Sequence, residues 1–527
     1  MTIFNFENNN NFDDYLSNRL FFRPSGQVIS VADGVARVDG LYSASSNELV
    51  IFFRQDIDLN ISGVVLNLEP EQVCVLILGD SHLVSAGDLV YATSEPCSIP
   101  VGYELLGRVV NPLGVPLDIS RESMEAQGLD LSSAITEFID LERYNLERDA
   151  PGIIDRRPVD TPVATGIKSI DGLFPIGRGQ RELIVGDRQT GKTSIAIDTI
   201  ISQSRQADLT GESLYFIYVS VGQKTSTLVR IVDILRKEGA MDRTVIVSAN
   251  ASQPAAFQYL APYAGCSVAE FFRDQGDHAV IIYDDLTKHA NAYRQISLIL
   301  RRPPGREAYP GDVFYLHSRL LERSANLSLE NYGGSLTALP IVETQAGDLS
   351  GYIPTNVISI TDGQIVTDTE LFQSGFRPAV NIGLSVSRVG GAAQNKNFKK
   401  VAAEFKKSLA AYREIASFAQ FGSEVDEVTA QLLTHGSRLN ALLAQTNYNP
   451  IPVEKQIIIF LSGISGYFDN ISVNNVQAAE AELLEWFESS PIFGPIMDNL
   501  LDEYEEAVIN EGISYFFNFV YTLRNNA

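Results

Sequence analysis

The string Gly186-Asp-Arg-Gln-Thr-Gly191-Lys192-Thr193 constrains this chain more than any other feature. It matches G-x-x-x-x-G-K-[ST], a loop whose glycines let successive backbone N–H groups turn toward phosphate oxygens. Such a loop works between a strand and a helix N-terminus, whose partial positive charge faces the phosphates. Both flanks fit. Glu182–Val185 reads as a strand, and Thr193–Ser204 carries Ile195, Ile197, Ile200 and Ile201 at helical spacing. In this loop Lys192 would neutralise the outer phosphates and the Thr193 hydroxyl would ligate Mg²⁺. Asp187 and Arg188 either shape the loop or pair with each other; with Gln189, Thr190, Gly191 and Ser194 they complete the candidate nucleotide contacts.

The magnesium shell needs a second acid. Ala279-Val-Ile-Ile-Tyr283-Asp284-Asp285 is a buried-type strand ending in carboxylates, and Asp284 is the candidate ligand. Hydrolysis further needs a group that orients or polarises water. The strand Tyr215–Ser220 ends in Val221-Gly-Gln223-Lys, and a glutamine cannot accept the proton, although some GTPases position water with one.

Around this core the pattern changes twice. From Gly26 to Leu78 short alternating runs separated by turns predict a small β-barrel or sandwich: Gly26–Val38, Glu48–Phe53, Gly63–Leu68 and Gln72–Leu78. Met124–Leu146 is mostly polar and helix-compatible. From about Gly166 to Val389, apolar strands alternate with helices: Glu182–Val185, Tyr215–Val219, Thr244–Ala249, Ala279–Tyr283 and Asn356–Thr361. That alternation predicts a mostly parallel α/β sheet. After Gly391 helical spacing takes over, in Phe398–Phe418, Glu424–Ala444 and Val476–Phe487. The expected boundaries are an N-terminal extension 1–22, a barrel 23–97, a nucleotide-binding domain 98–391 and a helical domain 392–527.

Composition excludes some alternatives. Net charge is −25, from 40 basic and 65 acidic residues, which argues against a broad nucleic-acid surface. Cys74, Cys97 and Cys266 are too few and too scattered for a disulfide framework or a metal cluster, and His82, His278, His289, His317 and His435 show no metal spacing. No apolar run reaches the roughly 18 residues a membrane span needs. Gln456–Phe468 and Gly512–Leu523 read instead as core elements. Trp486 sits among helical apolar residues. Eleven acids and no Lys or Arg lie between Gln456 and Leu523, which reads as a solvated helix face or a docking face for a basic partner.

From Arg23 to about Tyr448 the chain closely resembles the alpha subunits of the F-type ATP synthases. The loop Gly186-Asp-Arg-Gln-Thr-Gly-Lys-Thr has their form, as do Gly305-Arg-Glu-Ala-Tyr-Pro-Gly-Asp-Val-Phe-Tyr, Thr344-Gln-Ala-Gly-Asp and Pro378-Ala-Val-Asn-Ile-Gly-Leu-Ser-Val-Ser387. The resemblance implies a β-barrel, a RecA-like P-loop domain with a parallel sheet, and a helical bundle. It also implies three alpha and three catalytic beta chains alternating around a central gamma-type stalk, with a peripheral stalk. It implies ATP or ADP with Mg²⁺ at a site where Gln223 stands in place of a catalytic glutamate. Arg388 matches the arginine finger supplied in trans to the beta site. Arg377-Pro378, Gln445 and Asn447 match the adenine contacts, Asn447 with a shorter arm than usual. Peripheral association with the matrix side of the mitochondrial inner membrane is the expected location, with the cytoplasmic side of a bacterial membrane as the alternative. An autonomous ring ATPase using Gln223 to orient water, or a RecA-like nucleic-acid motor, are the competing readings.

Overall fold

In this computed structural model residues 25–54, 59–118, 141–419, 426–498 and 506–522 are described. The expected extension at 1–22 and most of the Met124–Leu146 segment lie outside them. Among the described residues the chain forms two compact units. One is drawn from the segments up to Arg156, Leu214–Val342 and Ser350–Ile360. The other comprises Arg157–Ser213, Glu343–Leu349 and the segment from Thr361 onward.

The first unit begins with the barrel. Its strands are β1 (Ser25–Ala32), β2 (Val35–Asp39), β3 (Glu48–Arg54), β4 (Leu59–Leu68), β5 (Val73–Leu78) and β6 (Leu89–Pro96), closed in the order β1-β2-β5-β4-β3-β6. Closure pairs Ser25 with Tyr91 and leaves no free sheet edge. Alternation explains the filling: Val28, Val38, Val50, Phe52, Val65, Val75 and Val90 all point into one core.

After the barrel comes the short β7 (Val109–Val110), and the alternating α/β segment supplies β8 (Leu183–Asp187), β9 (Leu214–Val221), β10 (Thr244–Ala249), β11 (His278–Asp284), β12 (Ser335–Thr344), β13 (Gly363–Thr367) and β14 (Val386–Ser387). Within the first unit β12, β11, β9, β10 and β7 pair in that order, all parallel. Between them run α1 (Thr225–Lys237), α2 (Ala255–Asp274) and α3 (Leu286–Ile299), which cover the apolar strands. Burial of Val245, Ile246, Val247, Val280, Ile281 and Ile282 on both faces accounts for their continuous apolar runs. The carboxyl ends of β9 and β11 lie side by side, Ser220 opposite Asp284, where α/β sheets place ligands. On α2, Glu270 is buried against Arg323 at 2.7 Å.

Two expectations fail here. Asn356–Thr361 is not a strand; Tyr352–Ile360 is a helix. Ile353, Pro354, Val357 and Ile360 are its buried positions, a helical spacing hidden inside a β-branched run, and Pro354 sits in the first turn where a missing N–H costs nothing. The strands are β12 and β13 instead. At the end of the helix-compatible Met124–Leu146 segment, Arg143–Asn145 is a strand paired with Ser98–Pro100, and Tyr144 packs edge-on to Phe271.

In the second unit β8 and β13 are parallel, Gly186 opposite Thr367, and β14 runs antiparallel to β13. The helical region contains Lys396–Ala419, Glu427–Leu442, Val453–Ile464, Val476–Ser489 and Glu506–Tyr515. Ile457, Ile458, Ile459 and Phe460 are fully buried, as expected for a core helix. No described helix is long and apolar enough to cross a membrane. Trp486 is half-buried in an aromatic cluster with Phe487, Phe493, Tyr515 and Phe516. The acidic segment is partly neutralised from within the unit. Glu480 pairs with Lys168, Glu488 with Lys455 and Glu506 with Lys400, and Asp469 is hydrogen-bonded to His435 Nδ1.

Candidate functional site

The phosphate loop joins β8 to the helix Lys192–Thr210, in the second unit. Its shape follows from two backbone demands. A Cβ on Gly186 would lie 2.0 Å from Thr367 Oγ1, so β8 and β13 approach closely only with glycine there. Gly191 has φ +91, a left-handed turn that opens the helix. Gln189 is also left-handed, at φ +64.

Asp187 does shape the loop. Its carboxylate accepts Thr344 Oγ1–H at 2.6 Å, the Gly347 N–H at 2.8 Å and Thr369 Oγ1–H at 3.0 Å. Burial alone would raise its pKa, but these bonds and the Lys192 charge outweigh burial and hold it below the usual carboxylate range. The Thr344-Gln-Ala-Gly-Asp string thus braces the loop. Arg188 and Gln189 are exposed. Thr190 Oγ1 donates to the Asp187 carbonyl at 2.8 Å. Lys192, 5% exposed, curls back so that Nζ donates to the carbonyls of Gly186, at 2.9 Å, and Asp187. An ammonium folded onto its own loop's carbonyls is a cation positioned where phosphate would take over those bonds.

A cleft adjoins the loop and is lined from Ile167, Thr190, Gly191, Ser194, Ile195, Asp198, Phe372, Arg377, Pro378, Gln445 and Asn447, among others. The Arg377-Pro378 bond is cis, and the Arg377 guanidinium lies 4.6 Å above the Phe372 ring. The Gln445 amide is already engaged. Nε2 donates to the carbonyls of Gly166 at 2.7 Å and Asn449 at 2.9 Å, and Oε1 accepts the Lys168 N–H at 3.1 Å. Gln445 therefore lines the cleft while stitching its wall. Asn447 lines it as well. Asp198, unforeseen from the sequence, also lines it; its signal was a single acid in an apolar helical run.

In the first unit Gln223 and Asp284 meet. Gln223 Nε2 donates to the Asp284 carbonyl at 3.3 Å, and its Oε1 is buried without a partner. Asp284 is 3% exposed and accepts the Tyr218 hydroxyl at 2.6 Å. The neighbouring Asp285 caps α3 by accepting the Lys288 N–H at 2.7 Å. This separates the two acids: one caps a helix and the other offers a hard oxygen at a strand end. A carboxylate oxygen there is a donor of the type magnesium prefers.

Arg388 stands apart from the cleft. It is exposed, one residue past β14, with its N–H on the Asp362 carbonyl at 2.9 Å. Behind it Glu182 is fully buried and bonded by Gln180 at 2.7 Å. Burial raises the Glu182 carboxyl well above its usual value, with the Arg388 charge opposing. The cysteines are all buried, and burial pushes the Cys97 thiol up to about 12. Two histidines that are distant in sequence, His289 and His317, lie with ring centroids 5.4 Å apart in the core.

Comparison with known proteins agrees with this layout. The family model described as ATP synthase alpha/beta family, nucleotide-binding domain, matches residues 166–387. The corresponding beta-barrel domain matches 22–94, and the C-terminal domain matches 394–514. The "ATP synthase subunit alpha" of Ehrlichia ruminantium, strain Gardel, is 52% identical over 493 residues, 93% of each chain. That of strain Welgevonden matches equally.

Proposed function

The chain belongs to the ATP synthase alpha/beta family, and on that premise we propose that it is a non-catalytic alpha subunit of the rotary, proton-translocating F-type enzyme. It binds Mg-ATP or Mg-ADP at its own P-loop and lends Arg388 to the site of an adjacent beta chain. The observation that carries this reading is the residue at the end of β9: a buried Gln223 whose amide is bonded to the Asp284 backbone. A carboxamide there has no basic oxygen to take a proton from water.

When bound, Mg²⁺ neutralises phosphate charge; Thr193 and Asp284 would hold it, and Lys192 with the loop N–H groups would hold the phosphates. Arg388 suits service to another chain, because its side chain is exposed and does not line the cleft of its own unit. A planar guanidinium offers paired donors to a transferring phosphoryl group. The alternating three-plus-three ring, the central and peripheral stalks, and peripheral association with a coupling membrane belong to the same proposal. The relatives come from a bacterium, which supports the cytoplasmic face of a bacterial membrane over the mitochondrial expectation. The net charge of −25 supports no nucleic-acid partner.

The test uses the purified full chain. Mg-ATP binding with negligible turnover supports the reading; steady multiple turnover by the chain alone overturns it in favour of an autonomous ATPase.

A further inference from the structure

The P-loop helix carries one acid in an apolar run, Ser194-Ile-Ala-Ile-Asp198-Thr-Ile-Ile. Gly191, Ser194, Ile195 and Asp198 stand at i, i+3, i+4 and i+7, so they share one helix face, and that face lines the cleft opposite Arg377 and Pro378. Asp198 is 6% exposed. Its carboxyl takes the backbone N–H of Tyr448, yet Oδ1 is sealed from water and has no hydrogen-bond partner. A buried acceptor left empty is costly, and a fold keeps such an atom where something else completes it. The charged groups around it are Arg205 of its own helix and Arg377 of the facing loop; the Arg377 guanidinium is committed to the Phe372 ring. Lys192, at the start of the helix, is turned onto the loop carbonyls.

We propose that Asp198 is a base-reading residue: its unpartnered carboxylate oxygen accepts a hydrogen bond from the exocyclic amino group of the adenine ring. This rests on the Mg-ATP reading above. An ionised carboxyl only accepts, so it fits an amino group and repels a carbonyl at the same position of the purine. Hypoxanthine carries that carbonyl and so serves as the discriminating probe. Burial pushes the Asp198 carboxyl up to about 7, against the Tyr448 N–H and the Arg205 charge. Below that pH the carboxyl gains a proton and can donate to the carbonyl instead. The preference for ATP over ITP therefore widens as pH rises from 6 to 8.

Equilibrium binding of Mg-ATP and Mg-ITP to the full chain tests this at pH 6 and pH 8. The expected result at pH 8 is a preference for ATP of about tenfold or more, narrowing at pH 6. Asp198→Ala should bind both triphosphates through the intact P-loop with little preference at either pH. Asp198→Asn keeps the size of the side chain and should lose the pH dependence, which carries the test if the alanine variant does not fold. A wild-type chain that binds neither triphosphate overturns the Mg-ATP reading itself. A wild-type chain that binds ATP with the same preference and pH profile as both variants overturns only the role of Asp198.

Discussion

Lys168 and Glu480 form an ion pair with almost no water around it. Nζ lies 2.6 and 2.8 Å from the two carboxylate oxygens, and the residues are 1% and 6% exposed. Lys168 belongs to a short helix before the P-loop and Glu480 to the helix Val476–Ser489, so the pair ties the helical region to the nucleotide-binding segment of the same unit. Burial works against both charges, lowering the Lys168 pKa and raising that of Glu480, and each partner opposes the effect on the other. Lys168→Met leaves Glu480 buried and alone. Breaking a buried pair from one side costs about 3–5 kcal/mol, whereas replacing both partners by apolar groups is often close to neutral. Native-state hydrogen exchange of the amides in Val476–Ser489 reads the difference locally, without assuming one global transition. Lys168→Met should raise the opening constant about 10²–10⁴-fold at pH 7, the Boltzmann equivalent of that cost. Lys168→Met/Glu480→Leu should recover most of the protection. Acid should also rescue the single variant. The folded pKa of the orphaned Glu480 lies above its unfolded value, so the penalty falls as pH falls and the carboxyl is protonated. Unchanged protection in the single variant, or a double variant as open as the single, would refute the reasoning.

Three further outcomes follow from the geometry. Gly186→Ala forces a methyl to within 2.0 Å of Thr367 Oγ1; it should destabilise the second unit by about 1–3 kcal/mol and weaken Mg-ATP binding, measured by thermal unfolding and equilibrium binding. Lys192→Gln removes the loop cation, and ATP affinity should drop about tenfold to a hundredfold with melting temperature nearly unchanged. His317 is fully buried with both ring nitrogens unpartnered, and burial lowers its pKa to about 4. The unfolded chain therefore binds the extra proton first, and about 3 kcal/mol of stability present above pH 6.5 should be lost as pH falls to 4. His317→Gln should flatten that profile in unfolding measurements at pH 4–7.

Much of this could be read from the residues because local physics and tertiary structure agree. The barrel strands alternate cleanly since one face fills a closed core, and the loop after β8 sits between a strand and a helix as its glycines demand. The Asn356–Thr361 error arose where they disagree. Val357, Ile358 and Ile360 favour strands by branching, yet their burial follows a helix. β13 was invisible for the opposite reason: at five residues, beginning with glycine, it has too little pattern to separate from a loop. At the site, the phosphate-facing residues are legible from spacing and Asp187 and Gln445 are legible as candidates, but the partners of those two are not, and Asp198 is not legible at all. The roles of Asp187 and Gln445 depend on Thr344, Thr369, Gly166 and Asn449, partners distant in sequence. That of Asp198 depends on the absence of a partner, which only the packed structure reveals.

On the proposed function, catalysis at a neighbouring site depends on this chain while its own site only binds. Arg388→Ala, assembled into a ring with wild-type beta chains, tests it most directly through ring turnover and nucleotide affinity at this chain's own site. Turnover should fall on the order of 10³-fold or more, as for other arginine fingers, with that affinity essentially unchanged. Wild-type turnover in the Arg388→Ala ring would contradict it.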